Sequence, residues 1–332
     1  MNLTIQSLKY QSYRLNFREP FRTAKGVLNY REGFMIEIRD RLNRIGLGEA
    51  APLDGFGMES LAETEIALQA MQRSLINAEI SSLSDIEELV RPCDRTPAAR
   101  HGLELALINL CAQSQNLSLP QLLTQCFGGK VRKYVSINAV IGAIASEAAA
   151  IKAQTYSQEG YRCLKIKVGS GNFELDCQRV AAVRSQVGDD IQIRIDANQA
   201  WTVDEAIANL KKLESLNIEY VEQPVAASDL TGLTKVKRSQ SIAIAADESV
   251  NNLAQLQQVI NAQAADIIIL KPMALGGVLT AHKAALIAFN AGLDVVVTTT
   301  IDGAIARQAA YDLAAALPIT RACGLATGNL LQ

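Results

Sequence analysis

Five charged residues recur along this chain at nearly one interval, with a sixth beside the first. Lys167, Asp196, Glu222, Asp247 and Lys271 are spaced by 29, 26, 25 and 24 residues, and Lys165 stands two positions before the first. Each of the five ends a short apolar run. Brought together, Asp196, Glu222 and Asp247 would offer hard oxygen donors with no histidine or cysteine at an equivalent place. That set suits Mg²⁺, with Mn²⁺ as the other candidate, and argues against zinc. The lysines flank the acids on both sides. An ordinary lysine is the free amine in only about one molecule in 2,500 at pH 7, so a lysine base near neutrality needs its pKa lowered by roughly 2.5 to 3, about 4 kcal/mol. Burial, the ammonium of Lys165 and a metal charge all push Lys167 that way. A carboxylate substrate held on the cation would lose its α-hydrogen more readily, because metal and ammonium groups stabilise the enediolate. The expected chemistry is proton abstraction next to a carboxylate.

For these groups to meet, one sheet must carry them. After Phe127-Gly128-Gly129-Lys130, short apolar strands and amphipathic helices alternate about every 25 residues. Strands are expected over 135–141, 163–168, 191–196, 218–222, 242–247, 266–271 and 294–299, with helices such as 202–216, opened by the capping box Thr202 to Glu205, and 277–290. Seven such units mean a parallel sheet, either doubly wound or closed into a barrel. No G-x-G-x-x-G follows the first strand, which weakens a dinucleotide-binding fold. In a barrel the C-terminal strand ends all point into one mouth, and side-chain parity agrees. With Asp196 inward, Arg194 and Gln192 follow it, and Ile191, Ile193 and Ile195 face the helices; with Asp247 inward, its companions are Ala243 and Ala245. Lys165 and Lys167 share one face of their strand, which leaves an exposed edge strand or a functional cavity. The barrel accounts for every charge at once.

The N-terminal third differs in texture. Residues 3–13 alternate loosely, and 34–39 and 45–49 form an antiparallel pair across the turn 40–44, flanked by loops at 17–26 and 51–58. Helices are expected at 60–77, with Ser60 and Glu63 in capping-box spacing, at 84–89 and at 97–115, which makes residues 1–115 a small α+β domain. With 332 residues, 49% of them hydrophobic, the chain can bury a large core. A net charge of -2 and a pI near 5.9 advertise neither nucleic acid nor an anionic membrane as partner, so a small molecule is expected. Six cysteines without Cys-x-x-Cys spacing, no signal peptide and no long apolar span point to buried thiols in a reducing, cytoplasmic setting.

Lys165-Ile166-Lys167, Asp196-Ala197-Asn198, Glu222-Gln223-Pro224, Asp247-Glu248-Ser249 and Lys271-Pro272, in that order and over nearly the whole chain, resemble the enolase superfamily in its muconate-lactonizing subgroup. The superfamily's lysine base with Mg²⁺ is itself a standard example of pKa tuning. The resemblance implies an α/β fold, a (β/α)7β modified TIM barrel over 116–318, with residues 1–115 as capping domain and 319–332 as last barrel strand and return to the cap. It implies metal ligands at Asp196, Glu222 and Asp247, with Asn198 and Glu248 supporting them. It also implies acid/base lysines at Lys167 and Lys271, assisted by Lys165. The mandelate-racemase-like branch places a histidine after the seventh strand, where this chain has Thr298-Thr299-Thr300; His101 and His282 are expected to be structural.

Within the subgroup, residues 298–304 and Gly324-Leu325-Ala326-Thr327-Gly328 are most similar to the o-succinylbenzoate synthases of menaquinone and phylloquinone biosynthesis, although Ala326 stands where an acidic residue is expected. Those lyases dehydrate 2-succinyl-6-hydroxy-2,4-cyclohexadiene-1-carboxylate to 2-succinylbenzoate. The resemblance then has Lys167 remove the α-proton and protonate the departing hydroxyl, with Lys271 stabilising the anion from the other side. The alternatives are N-acylamino acid racemisation, dipeptide epimerisation, muconate cycloisomerisation and a non-catalytic metal-binding barrel. Dipeptide epimerases of this family bind the substrate ammonium with an Asp-x-Asp after the last strand, and no aspartate follows Asp312 here. The cap loops, about 17–28 and 48–60, are expected to close over the mouth and bind substrate through Phe21, Phe56 and Met58, with Arg22 and Lys25 as partners for a second carboxylate and Thr298 and Thr299 on the barrel side.

Overall fold

Gly46 and Gly48 show how the N-terminal part is put together. A Cβ at either would lie 1.9 Å from the carbonyl oxygen of Ala106 or Gly102, so a helix can press directly on their strand. The computed structural model describes the backbone of residues 2–23, 26–53 and 57–332, and the side chains of all of these except 21–23 and 26. Three long strands, β1 (Leu3–Thr23), β2 (Gly26–Asp40) and β3 (Ile45–Ala50), and the short β4 (Glu79–Ile80) form an antiparallel sheet in the order β3-β2-β1-β4. On it pack α1 (Leu61–Ser74), α2 (Leu83–Val90) and α3 (Pro97–Ser114). The expected capping box opens α1, with the Ser60 and Glu63 side chains each accepting the other's backbone N–H. Residues 17–23, expected as a loop, instead continue β1. The pairing jumps from Asn16↔Tyr30 to Phe21↔Leu28, and the extra residues of this irregularity include Pro20, which has no N–H to offer a ladder.

An unexpected helix, α4 (Leu119–Phe127), begins on a capping box of its own, Ser118 with Gln121, and packs against the last helix of the chain. Then come the alternating units: β5 (Ala139–Ile141), α5 (Ser146–Gln158), β6 (Cys163–Lys167), α6 (Phe173–Val187), β7 (Gln192–Asp196), α7 (Val203–Leu213), β8 (Ile218–Glu222), α8 (Leu230–Arg238), β9 (Ala243–Ala246), α9 (Leu253–Ala262), β10 (Ile267–Leu270), α10 (Val278–Asn290), β11 (Asp294–Val297) and α11 (Ala304–Ala316). The strands run parallel in sequence order from β5 to β11. Cys323 and Gly324 lie between the two edges. Cys323 N donates to Ser136 O at 2.7 Å, Asn138 N to Cys323 O at 3.0 Å, and Gly324 N to Val297 O at 2.9 Å. The result is a closed (β/α)7β ring. The strand read at 135–141 is regular only over its last three residues, because its first half meets this closing segment through a single bridge at Ile137.

Ile166, Ile193 and Ile195 pack outward against the helices, each fully buried side chain of this kind contributing about 1.5–3 kcal/mol. Tyr220, Ala245, Ile267, Ile269 and Val296 fill the barrel interior. Arg194 also points inward, stacked on Tyr220 at 4.6 Å and hydrogen-bonded to Glu219 and to Ala322 O. Gln192, expected beside it, is exposed at the start of β7. Beyond the ring the chain returns to the N-terminal sheet, where Leu331 bridges Phe17 and Gln332 N donates to Asn16 O at 2.9 Å. All six cysteines are free; four are buried, Cys177 is half-buried and Cys126 is exposed, so the expectation of buried thiols holds for most of them. Among the described residues no helix is long and apolar enough to cross a membrane.

Candidate active site

Strand register brings the charged residues into one row. Lys167 pairs with Asp196 across β6 and β7, and Asp196 with Glu222 across β7 and β8. Glu222 pairs with Ala245, so Asp247 follows just past the end of β9, as Lys271 does past β10. The backbone bends sharply where the row ends: Asn198, Gln199 and Gln223 have φ of 44°, 67° and 38°, a region that costs non-glycine residues energy and concentrates at functional sites. Gln223 ties two of these turns together, its Oε1 accepting from Asp247 N at 3.0 Å and from Ser249 Oγ at 3.1 Å.

The acids are almost completely buried, at 0% exposure for Asp196, 2% for Glu222 and 3% for Asp247. Lys165 Nζ lies 2.6 Å from Glu222 Oε1 and 2.8 Å from Asp196 Oδ2. Lys167 Nζ lies 2.7 Å from both Asp196 Oδ2 and Asn198 Oδ1. On the opposite side of the mouth, with β7, β8 and β9 between, Lys271 Nζ donates to Asp247 Oδ1 at 2.6 Å. Asn198 Nδ2 donates to Glu248 Oε1 at 3.2 Å.

Burial lowers the pKa of Lys165, but the carboxylates of Asp196 and Glu222 outweigh it and hold this lysine well above the ordinary range. Lys271 is likewise raised, burial being overcome by Asp247 and Glu248. Both directions favour the ammonium form of these two lysines, in keeping with the expected roles of Lys165 and Lys271 as positive charges. Asp196 is held low: burial, which raises it, is outweighed by Lys165 and Lys167. Burial and the nearby charge of Asp196 push Glu222 up to about 8 despite Lys165.

Excess negative charge of this kind fits a cation. Glu248, 5% exposed and facing the same cavity, also keeps a buried Oε2 without a hydrogen-bond partner. Three hard carboxylates on neighbouring strands are a donor set for Mg²⁺ or Mn²⁺. As the side chains stand, no three acids among the described residues converge on one point, because ammonium groups occupy their oxygens. A bound ion would displace part of those contacts.

The cavity above the row is lined by all six charged residues, by Asn198 and Glu248, and on its far wall by Thr298, Thr299, Thr300, Ile301, Gly324 and Thr327. The two threonines expected to meet substrate thus reach the site, with Thr299 Oγ1 hydrogen-bonded to Thr327 Oγ1 at 2.7 Å. Apart from Asn138, the rest of the wall is apolar, made by Val27, Leu28, Leu53, Val140 and Leu330. Val27, Leu28 and Leu53 were not anticipated singly, but they belong to the segments 17–28 and 48–60 expected at the mouth; Val140, paired with Lys165, follows from the same side-chain parity one strand back. Lys25, Phe56 and the side chains of Phe21 and Arg22 lie outside the described residues. Met58 is not among the cavity residues and packs with Ala51 and Met273. Neither histidine lines the cavity: His101 Nδ1 contacts Glu49 O at 2.9 Å, and His282 stacks on Phe127.

Known proteins share this layout. Residues 147–329 match the family model described as enolase C-terminal domain-like, and residues 5–110 match the one described as MenC, N-terminal domain. The L-Ala-D/L-Glu epimerase of Bacillus subtilis is 32% identical over 90% of this chain and 81% of its own length. Its substrate-liganded structure superposes with a TM-score of 0.92, covering 99% of this chain and 91% of the other. An o-succinylbenzoate synthase of Thermobifida fusca is 41% identical, over 61% of this chain and 62% of its own. A dipeptide epimerase of Enterococcus faecalis, complexed with Mg and the dipeptide L-Leu-L-Tyr, superposes with a TM-score of 0.89 at 31% identity, over 96% of this chain and 90% of the other. Matching models at both ends, a shared barrel and relatives that span nearly all of its length place the chain in the enolase superfamily.

Proposed function

We propose that this enolase-superfamily enzyme is a lyase, an o-succinylbenzoate synthase that dehydrates 2-succinyl-6-hydroxy-2,4-cyclohexadiene-1-carboxylate to 2-succinylbenzoate. The observation that carries this reading is the composition of the cavity wall. Among the described residues, every acid that lines the cavity lies on the β7 to β9 side, whereas β11 and the closing segment contribute threonines, glycine and aliphatic side chains. A dipeptide's free ammonium would find no counter-charge on that wall, while an apolar ring and the keto-methylene part of a succinyl arm would be accommodated, the arm's terminal carboxylate needing a cation from elsewhere, such as Arg22 or Lys25 of the cap. The partial match to a known synthase and the MenC-type N-terminal region support the same choice.

Lys167 would remove the proton α to the ring carboxylate. The C–H electron pair enters the ring as the enediolate forms, then expels the hydroxyl; the proton taken by Lys167 leaves with it as water, and the ring becomes aromatic. Lys165, fixed between Asp196 and Glu222, would remain an ammonium beside Lys167, and Lys271 would face the anion from the other side as a second positive charge. Asp196, Glu222 and Asp247 would hold a divalent cation such as Mg²⁺, which supplies Lewis-acid charge against the substrate carboxylate.

A second reading is racemisation of an N-acylamino acid, favoured by the placement of Lys167 and Lys271 across the mouth from each other. A panel assay with Mg²⁺, offering the cyclohexadiene carboxylate, N-acylamino acids and dipeptides, decides between them. Aromatisation of the first with a kcat/KM well above the rest is expected. Racemisation of an acylamino acid without aromatisation would overturn the proposal.

A further inference from the structure

The turn after β11 is held in a conformation that its own sequence disfavours. Ile301 lines the cavity with φ at +60°, a region β-branched residues seldom enter because Cβ crowds the neighbouring carbonyl. Within the turn, Thr299 Oγ1 accepts from Ile301 N at 3.2 Å. Asp302 Oδ1 likewise accepts from Thr300 N at 3.1 Å and from Thr300 Oγ1. Further restraints come from the N-terminal sheet. Arg31, on β2 and 4% exposed, donates from Nε to Ile301 O at 3.2 Å, while its other two nitrogens donate to Pro52 O at 2.8 Å and Ala51 O at 2.7 Å. Glu49, on β3, accepts from Gly303 N at 2.6 Å, Ala306 N at 3.0 Å and Ile305 N at 3.1 Å. It caps α11, whose own N-cap residue, Gly303, has no side chain to do so. Tyr13 OH donates to the same carboxylate at 2.5 Å.

We infer that Arg31 and Glu49 are positioning residues for substrate selection: from the cap, Arg31 keeps Ile301 in its left-handed turn and Glu49 pins the start of α11 behind it, together fixing the 299–301 wall of the cavity. The inference rests on that cavity being the active site. Arg31 then acts on the substrate only through Ile301, which makes its effect conditional on the residue at 301.

The test is Arg31→Met in the full chain, made both in the wild type and in an Ile301→Gly background. Glycine adopts positive φ without help. With Ile301 present, Arg31→Met should raise KM about tenfold and leave kcat within about threefold; with Ile301→Gly, the same change should alter KM less than about twofold. Amide hydrogen exchange, read without turnover, should accelerate at least about tenfold over 299–303 in Arg31→Met and stay unchanged in β6 to β8. Equal KM increases in both backgrounds, or unchanged exchange, would overturn the inference. If Arg31→Met does not fold, Arg31→Lys, which keeps the charge but cannot span Ile301, Pro52 and Ala51, takes its place with the same expected pattern. A wild-type enzyme that turns over nothing in the substrate panel would sink the proposed function, and the exchange measurement would still decide this inference.

Discussion

Replacing Lys167 and Lys165 separately by methionine pulls apart the proposed base and the charge that lies next to it. Lys167 Nζ makes two hydrogen bonds of 2.7 Å, to Asp196 and to Asn198. Without it the buried Asp196 carboxylate keeps Lys165 at 2.8 Å, so no charge is left unpaired and the structural cost is about 1–2.5 kcal/mol. Lys165 is different. Its contact of 2.6 Å is made to Glu222, and its loss leaves that acid, 2% exposed and already pushed up to about 8, without its donor while also removing one of the two ammonium partners of Asp196, a combined cost of about 3–5 kcal/mol. For a chain of 332 residues the unfolding entropy near the melting temperature is about 0.7 kcal/mol per degree. Lys167→Met should therefore melt about 1–4 °C below the wild type and Lys165→Met about 4–7 °C below it. Activity should not follow stability. Loss of the base is expected to lower kcat by about 10⁴-fold, about 5.5 kcal/mol in the barrier, and to abolish exchange of the substrate α-hydrogen in D₂O. Calorimetry gives the first quantity, and the ultraviolet absorbance of the aromatic product with proton NMR gives the second. Retention of more than about 1% of kcat by Lys167→Met, or a higher melting temperature for Lys165→Met than for Lys167→Met, would refute this division of roles.

Chelation with EDTA is expected to abolish turnover, and Mg²⁺ at a hundred times its Kd should add about 2.7 kcal/mol of stability, roughly 4 °C; activity indifferent to EDTA would contradict the assignment of Asp196, Glu222 and Asp247. A Cβ at Gly303 would sit 2.6 Å from Glu49 Oε1, so Gly303→Ala should drive that carboxylate off α11 and cost about 2–4 kcal/mol, visible as a melting temperature about 3–6 °C lower. Burial pushes Glu104 up to about 7 against the pull of Arg100. Its folded pKa lies above the unfolded value, so the stability linked to its protonation is complete below about pH 4.5 and is lost as pH rises through 7. Denaturant titrations should accordingly find the stability of the wild type relative to Glu104→Gln falling by about 3 kcal/mol between pH 4.5 and 8, and a pH-independent difference would show that Glu104 is ionised throughout.

The charged row was legible because a parallel barrel repeats one rule. Each strand reads as a short apolar run, and its last residue faces the mouth, so spacing alone aligned Lys167, Asp196, Glu222, Asp247 and Lys271. The strand at Ile218–Glu222 matched residue for residue, and most others differed by one or two at the ends. Where structure depends on a distant partner, the local pattern misled. Residues 17–23 carry a proline and several charges and look like a loop, yet β2 recruits them as a strand. α4 went unread although its capping box, Ser118 with Gln121, stood in the sequence. Glu49 and Arg31 carry no local signal of their role, since their partners lie 254 and 270 residues away.

The closure of the ring at Cys323 and Gly324 bears on how the molecule is made. Ribosomal synthesis is vectorial, and both lysine strands and all three acid strands have emerged before the segment that joins Val297 to Ser136 and Asn138 exists. Until then β5 and β11 each present an unpaired parallel edge, the kind of surface that other chains extend. The nascent enzyme thus holds its whole set of charged groups while still open on one side. A few residues near position 323, on the threonine-lined wall of the cavity and away from the lysines and acids, close that open side.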